Sequence, residues 1–232
     1  MSPLTPRQTA YLQAMGVTVW RAQSAPVSAT QPVMVEQPQV APTPEVASGD
    51  WEALALSVST CQRCELYKTR TQTVFGVGNR QAELLIIGEA PGADEDRQGE
   101  PFVGRAGLLL NEMLKAIGLQ RQQVYIANIL KCRPPNNRDP KPEEAAQCSE
   151  YLLRQIALIQ PKLILVVGRI AAQQLLKTDT ALGRLRGKLH QHPETGVPLV
   201  VTYHPAYLLR TPSDKRKAWE DLLFLRNTIK SI

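Results

Sequence analysis

Two sets of residues in this chain have types and spacings suited to chemistry. The first begins with residues 88–107, GEAPGADEDRQGEPFVGRAG. Its glycines admit close backbone approach, Glu89 and Glu95 offer carboxylates for acid–base or charge-stabilising work, and Phe102 offers a face for stacking. Asn128 lies in the apolar run VYIANIL, and its amide can present a donor and an acceptor to the edge of a base. His204 follows LVVT in the stretch YHPAYLLR. Each has a plainer alternative: a turn cap for Asn128, a structural histidine for His204, a core ring for Phe102. The second set is the four cysteines, Cys61 and Cys64 in CQRC, Cys132 in KCRPP, and Cys148.

The elements around these residues bring the first set together. Four apolar runs read as strands: residues 83–88 (ELLIIG), 124–130 (VYIANIL), 163–168 (LILVVG) and 199–202 (LVVT). None alternates strictly, as expected of strands covered on both faces. Helical patterns lie between them. Leu110, Leu114 and Ile117 share one face up to Gly118, and residues 142–159, 169–177 and about 213–229 read as further helices. Alternating strands and helices predict an α/β fold, a three-layer α/β/α arrangement around a central, mostly parallel, four-stranded sheet. The glycine-rich loop, Asn128 and His204 then fall at the carboxyl ends of three strands. That edge is where such sheets bind ligands.

The cysteines are spaced C-x2-C, then 67 residues, then C-x15-C. Zinc favours compact paired knuckles and fits the lone Cys132 and distant Cys148 poorly. A thioredoxin-type couple would leave two thiols unexplained. An iron–sulfur cluster takes four cysteines and tolerates wide spacing. Cluster, zinc and unrelated core thiols all stay open on spacing alone.

Composition narrows the class. No run of eighteen apolar residues exists, so no membrane-spanning helix is expected, and the first residues lack the pattern of a secretory signal. A cytoplasmic, nucleoid-associated protein with reduced thiols is the expectation. Residues 1–50 carry two arginines against three acids, so the net charge of +6 leaves +7 on residues 51–232, a balance suited to a polyanionic partner. Residues 24–50 hold five prolines, no lysine or arginine and no aromatic residue, and read as a disordered linker. Ahead of it, residues 1–23 contain a short amphipathic segment with Tyr11, Leu12, Met15 and Trp20, the pattern of a docking motif that folds on binding. The domain proper is expected over residues 51–232, with the rest a disordered N-terminal extension.

The stretches GEAPG…GEPFVGRAG, NILKCRPPNNRDP and HPAYLLR, with four cysteines at this spacing, resemble the family 4, iron–sulfur uracil-DNA glycosylases across roughly residues 51–232. The resemblance implies a [4Fe–4S] cluster on Cys61, Cys64, Cys132 and Cys148, and a monomer acting on uracil-containing DNA. It implies a monofunctional enzyme that flips uracil out of DNA, hydrolyses its glycosidic bond and leaves an abasic site. Phe102 would stack on the base, Asn128 would read it, and His204 would stabilise the leaving oxyanion. The better-known branch of the superfamily has an aspartate where this chain has Ala90, so orientation of water would fall to Glu89, Glu95 or both. Asn137 would be a further pocket residue. Leu208 would wedge into the minor groove, and Arg210, Arg105, Lys131, Arg133 and Arg138 would meet phosphates. A covalently trapping relative would need a histidine between Asn128 and Cys148, where none occurs. A non-catalytic DNA-binding module is the other alternative. Residues 4–21 are similar to the N-terminal peptide of the psi subunit of the bacterial clamp loader, which implies docking on that replicative assembly.

Overall fold

The computed structural model of the chain describes residues 49–232. The expected docking segment, and the linker up to residue 48, lie outside the described residues. In chain order the elements are α1 (Gly49–Ser59), β1 (Val77–Gly78), β2 (Leu84–Gly88), α2 (Ala93–Gln98), α3 (Arg105–Ala116), β3 (Tyr125–Asn128) and α4 (Pro142–Ile159). They continue with β4 (Leu163–Val167), α5 (Arg169–Leu176), α6 (Leu182–Leu185), β5 (Leu189–Gln191), β6 (Pro198–Thr202), α7 (Pro205–Arg210) and α8 (Lys215–Ser231). None of the described helices is long and apolar enough to cross a membrane.

The four apolar runs are β2, β3, β4 and β6, and they pair in parallel in the order β3-β2-β4-β6. Every residue of β2 and β4 is buried, which is why neither run alternates. The expected count of four strands is corrected: among the described residues the sheet has six. The additional two are β1 and β5, which pair antiparallel to β3 and β6 at the two edges. They are two and three residues long and only partly covered, so they carry no apolar run to be noticed.

Successive side chains on each strand enter different cores, giving three layers. Leu85, Ile87, Ala127, Ile164, Val166 and Val201 pack with α4 and α5 residues such as Leu152, Ile156 and Ala171. Leu84, Ile86, Ile126, Leu165 and Val200 pack on the other face with Leu110 and Leu114 of α3 and Leu222 and Leu225 of α8. Pro142 starts α4 where its missing N–H costs nothing, and Glu144 accepts from the Lys141 N–H at 2.9 Å to close the first turn. The chain leaves β2 for β3 on one side, then crosses to β4 on the other. That reversal opens a crevice at the carboxyl ends of the strands.

Candidate active site and cysteine pocket

A cleft of about 400 Å³ occupies this crevice. It gathers Glu89, Ala90 and Glu95 after β2, Phe102, Asn128 at the end of β3, Asn137 and Arg138, His204 after β6, and Arg210. Asn128 is 2% exposed, and its buried Oδ1 has no hydrogen-bond partner among the described residues. A buried acceptor left bare costs about 1–3 kcal/mol unless a ligand supplies the donor. Gly88 makes the convergence of side chains here possible: a Cβ at that position would lie 2.4 Å from Asn128 Oδ1 and 2.7 Å from the Phe102 ring. Phe102 itself has a left-handed backbone, φ 55°. It is held there by Arg121, whose guanidinium donates to the carbonyls of Phe102 (3.3 Å) and Pro101 (2.6 Å). Its ring stacks on His204 with centroids 5.6 Å apart.

His204 caps the N-terminus of α7, its Nδ1 accepting from the Ala206 N–H at 3.1 Å. In the neutral ring the proton therefore sits on Nε2, which becomes a donor. Burial, with the nearby Arg210 charge, pushes the His204 pKa down to about 4. Glu89 is shifted oppositely. Burial and the negative charge of Asp139 raise its pKa to about 7, against a smaller downward pull from Arg169. Glu95 has another task. Its Oε2 accepts from the Gly92 N–H at 3.1 Å, and its Oε1 accepts from Val103 and Gly104 at 3.0 and 3.1 Å. The carboxylate thus ties the two halves of the glycine-rich loop together.

The four cysteines converge on a second, smaller pocket. Cys61 and Cys64 follow α1, Cys132 follows β3, and Cys148 lies in α4. All are free thiols. Burial raises the Cys132 pKa, and that of Cys148 to about 11. Donors nonetheless face the sulfurs: Arg70 Nη1 lies 3.0 Å from Cys132 Sγ, and the Lys131 N–H 3.4 Å from Cys148 Sγ. Among the described residues, no three His, Cys, Asp or Glu stand close enough to close on a single metal ion. The four thiols nevertheless line one common pocket.

The family model described as the Uracil DNA glycosylase superfamily matches residues 75–223, which hold the sheet and the cleft. The chain belongs to the uracil-DNA glycosylase superfamily. It is 50% identical over 161 residues to a Type-4 uracil-DNA glycosylase of Archaeoglobus fulgidus, covering 67% of this chain and 81% of the relative. Type-4 uracil-DNA glycosylases of Sulfurisphaera tokodaii and Saccharolobus solfataricus are each 42% identical, covering 75% and 78% of this chain and 83% and 87% of their own.

Several residues stand elsewhere in this superfamily member than the sequence suggested. Leu208, expected to wedge into DNA, is 1% exposed and belongs to the core under the sheet. The short helix α7 turns it inward, while Tyr207 and Arg210 line the cleft. Leu208→Ala is therefore expected to cost about 2–5 kcal/mol of folding stability by denaturant unfolding. Unchanged stability would return the residue to the DNA surface. Lys131, expected to meet phosphate, is 1% exposed. Its Nζ donates to the Asn128 carbonyl at 2.9 Å and to Gln155 Oε1 at 2.6 Å, because it lies between β3 and α4. Arg105 is exposed at the start of α3 outside the cleft lining, and Arg133 donates through Nε to Asn137 Oδ1 at 2.8 Å. Arg138 lines the cleft but is paired in two places with Glu144, at 2.8 and 2.6 Å.

Tyr207 and Asp139 line the cleft of the superfamily member without having been singled out from sequence, and Arg169 pairs with Asp139 at 3.2 Å. The signals were available. Arg169 directly follows an apolar run, at the same sheet edge as Asn128. Pro205 after His204 marks a helix start, which makes Tyr207 part of a helix at the mouth of the site.

Proposed function

We propose that the chain flips uracil out of DNA, hydrolyses the bond between N1 and C1′, and leaves an intact abasic site. The observation that carries this reading is the bare, buried Oδ1 of Asn128 in the cleft. Uracil would donate its N3–H to that oxygen and accept at O4 from the amide N–H. Cytosine offers the reverse pattern, so both contacts would become repulsive. The stacked Phe102–His204 pair supplies a flat wall for the extruded base. As the bond breaks, electrons move onto uracil and collect at O2. The Nε2–H of neutral His204 is the donor suited to that oxygen. The Glu89 carboxylate would stabilise the positive sugar and take a proton from the water that bonds to C1′. Among the described residues no lysine lines the cleft, lysine being the usual amine for a Schiff base that leads to strand cleavage. The guanidinium of Arg210 at the cleft suits a phosphate.

The four cysteines, in this reading, hold a [4Fe–4S] cluster that supplies structural cross-linking and takes no part in the reaction. The donors facing the sulfurs and the shared pocket support it, as does similarity to glycosylases of type 4. It ties the segment after α1 to the end of β3 and to α4.

Two experiments test the site. Asn128→Asp should lower uracil release by about 5- to 150-fold, the worth of one bidentate base contact, while creating activity on cytosine. Rates on matched oligonucleotides carrying uracil or cytosine measure both, and unchanged selectivity would remove Asn128 from base reading. The second concerns pH. Glu89 must be ionised to act, and its pKa near 7 leaves it largely protonated below that value. Single-turnover rates should rise with pH through about 7, and Glu89→Gln should flatten the rise. A rise of the same size in Glu89→Gln would assign the titration to another group.

A further inference from the structure

We infer that Tyr207 stacks on the base beside the flipped nucleotide and holds the duplex open while the uracil sits in the cleft. The inference rests on the uracil-excision reading. Its starting point is the burial of Leu208, which leaves the adjacent Tyr207 as the aromatic side chain of α7 facing the cleft. The tyrosine is partly buried and closely braced. Its ring lies on that of Tyr203, centroids 5.3 Å apart and planes 14° from parallel. Its hydroxyl donates to Asp214 Oδ2 at 2.6 Å, and Lys217 Nζ holds the other oxygen of that carboxylate at 2.9 Å. The guanidinium of Arg186 sits 5.2 Å from the Tyr203 ring, and its Nε donates to the buried Asp221 at 2.9 Å.

Tyr207 is thus backed by a ladder that runs into α8, and the proposed chemistry of His204, Asn128 and Glu89 makes no use of it. A ring already fixed in place loses little freedom when it meets a ligand, and any nucleobase presents a face to it. Tyr207 lies three residues after His204, which caps the short helix that carries it. A base adjacent to the extruded uridine would therefore meet this ring when His204 reaches O2. Arg210, further along the same helix, also lines the cleft and suits the neighbouring phosphate.

The test compares wild type, Tyr207→Ala and Tyr207→Phe on one uracil-containing strand, free and in duplex, under single-turnover conditions. Tyr207→Ala should fall about ten-fold or more on duplex, the scale of one base–aromatic stack, and clearly less on the free strand. Tyr207→Phe, which keeps the ring and loses the bond to Asp214, should stay within a few-fold of wild type on both. Equal losses of Tyr207→Ala on the two substrates would overturn the inference. So would a Tyr207→Phe defect as deep as that of Tyr207→Ala, since the hydroxyl brace alone would then matter. A second measurement needs no variant. Irradiating the wild-type protein with a duplex carrying 5-iodocytosine beside a cleavage-resistant 2′-fluorouridine should cross-link the iodinated base to Tyr207. Cross-linking confined to other residues would place that base elsewhere. Failure of the wild-type protein to release uracil from either substrate would instead strike the excision reading itself.

Discussion

Replacing His204 by alanine is expected to lower the single-turnover rate of uracil release by about 10²–10³-fold, the loss seen when one donor to a developing oxyanion is removed. The ring is oriented twice over, by the Ala206 N–H on Nδ1 and by stacking on Phe102, so Nε2 presents its proton in a fixed direction. A pKa near 4 keeps the ring neutral from acid pH upward. The donor is therefore an uncharged imidazole, whose hydrogen bond strengthens as negative charge grows on O2. Affinity for DNA carrying a cleavage-resistant uridine should change far less, because the ground-state base carries little charge there. Equal losses in binding and rate would make His204 a packing residue. The pH profile offers a separate check. His204 contributes no titration between pH 5 and 8, so any acid-side loss in that window should disappear in Glu89→Gln.

The second large effect is expected at the cysteines. The as-purified protein should be yellow-brown with four irons per chain, and Cys132→Ala or Cys148→Ala should lose the colour. The melting midpoint should drop by more than about 10 °C, since a metal centre coupled to folding contributes its binding free energy to stability. Activity should fall as well, through the chain itself. Cys132 is followed directly by the loop that carries Pro134, Asn137, Arg138 and Asp139 into the cleft. A colourless protein holding one zinc, or cysteine variants with wild-type melting, would contradict the cluster assignment.

The sequence revealed the parts of the fold whose signals are local. The four buried parallel strands lack alternation because both faces are covered, and α4 was legible over its full length from its proline start and apolar period. The edge strands β1 and β5 were not legible, because strands of two and three residues gain their register from a neighbour and not from their own pattern. The site shows the same division. Glu89, Asn128 and His204 could be placed because each sits at or beside the end of a strand. Leu208 and Lys131 could not, since whether a side chain near such an end faces cleft or core depends on which face a short helix turns inward, successive residues standing about 100° apart, or on one neighbour such as Gln155. Glu95 was recognised as a carboxylate in the right loop, and its bond from Gly92 is a local helix cap, but the donors Val103 and Gly104 are brought close by the folding of the loop.

The most direct test of the account is to incubate the purified chain with DNA holding a single uracil and to analyse both base and strand. The account predicts free uracil in the supernatant, a strand that stays whole until alkali cleaves it at the abasic site, and no release from matched DNA holding thymine. Uracil-dependent binding without release of the base, or strand scission without alkali, would contradict it.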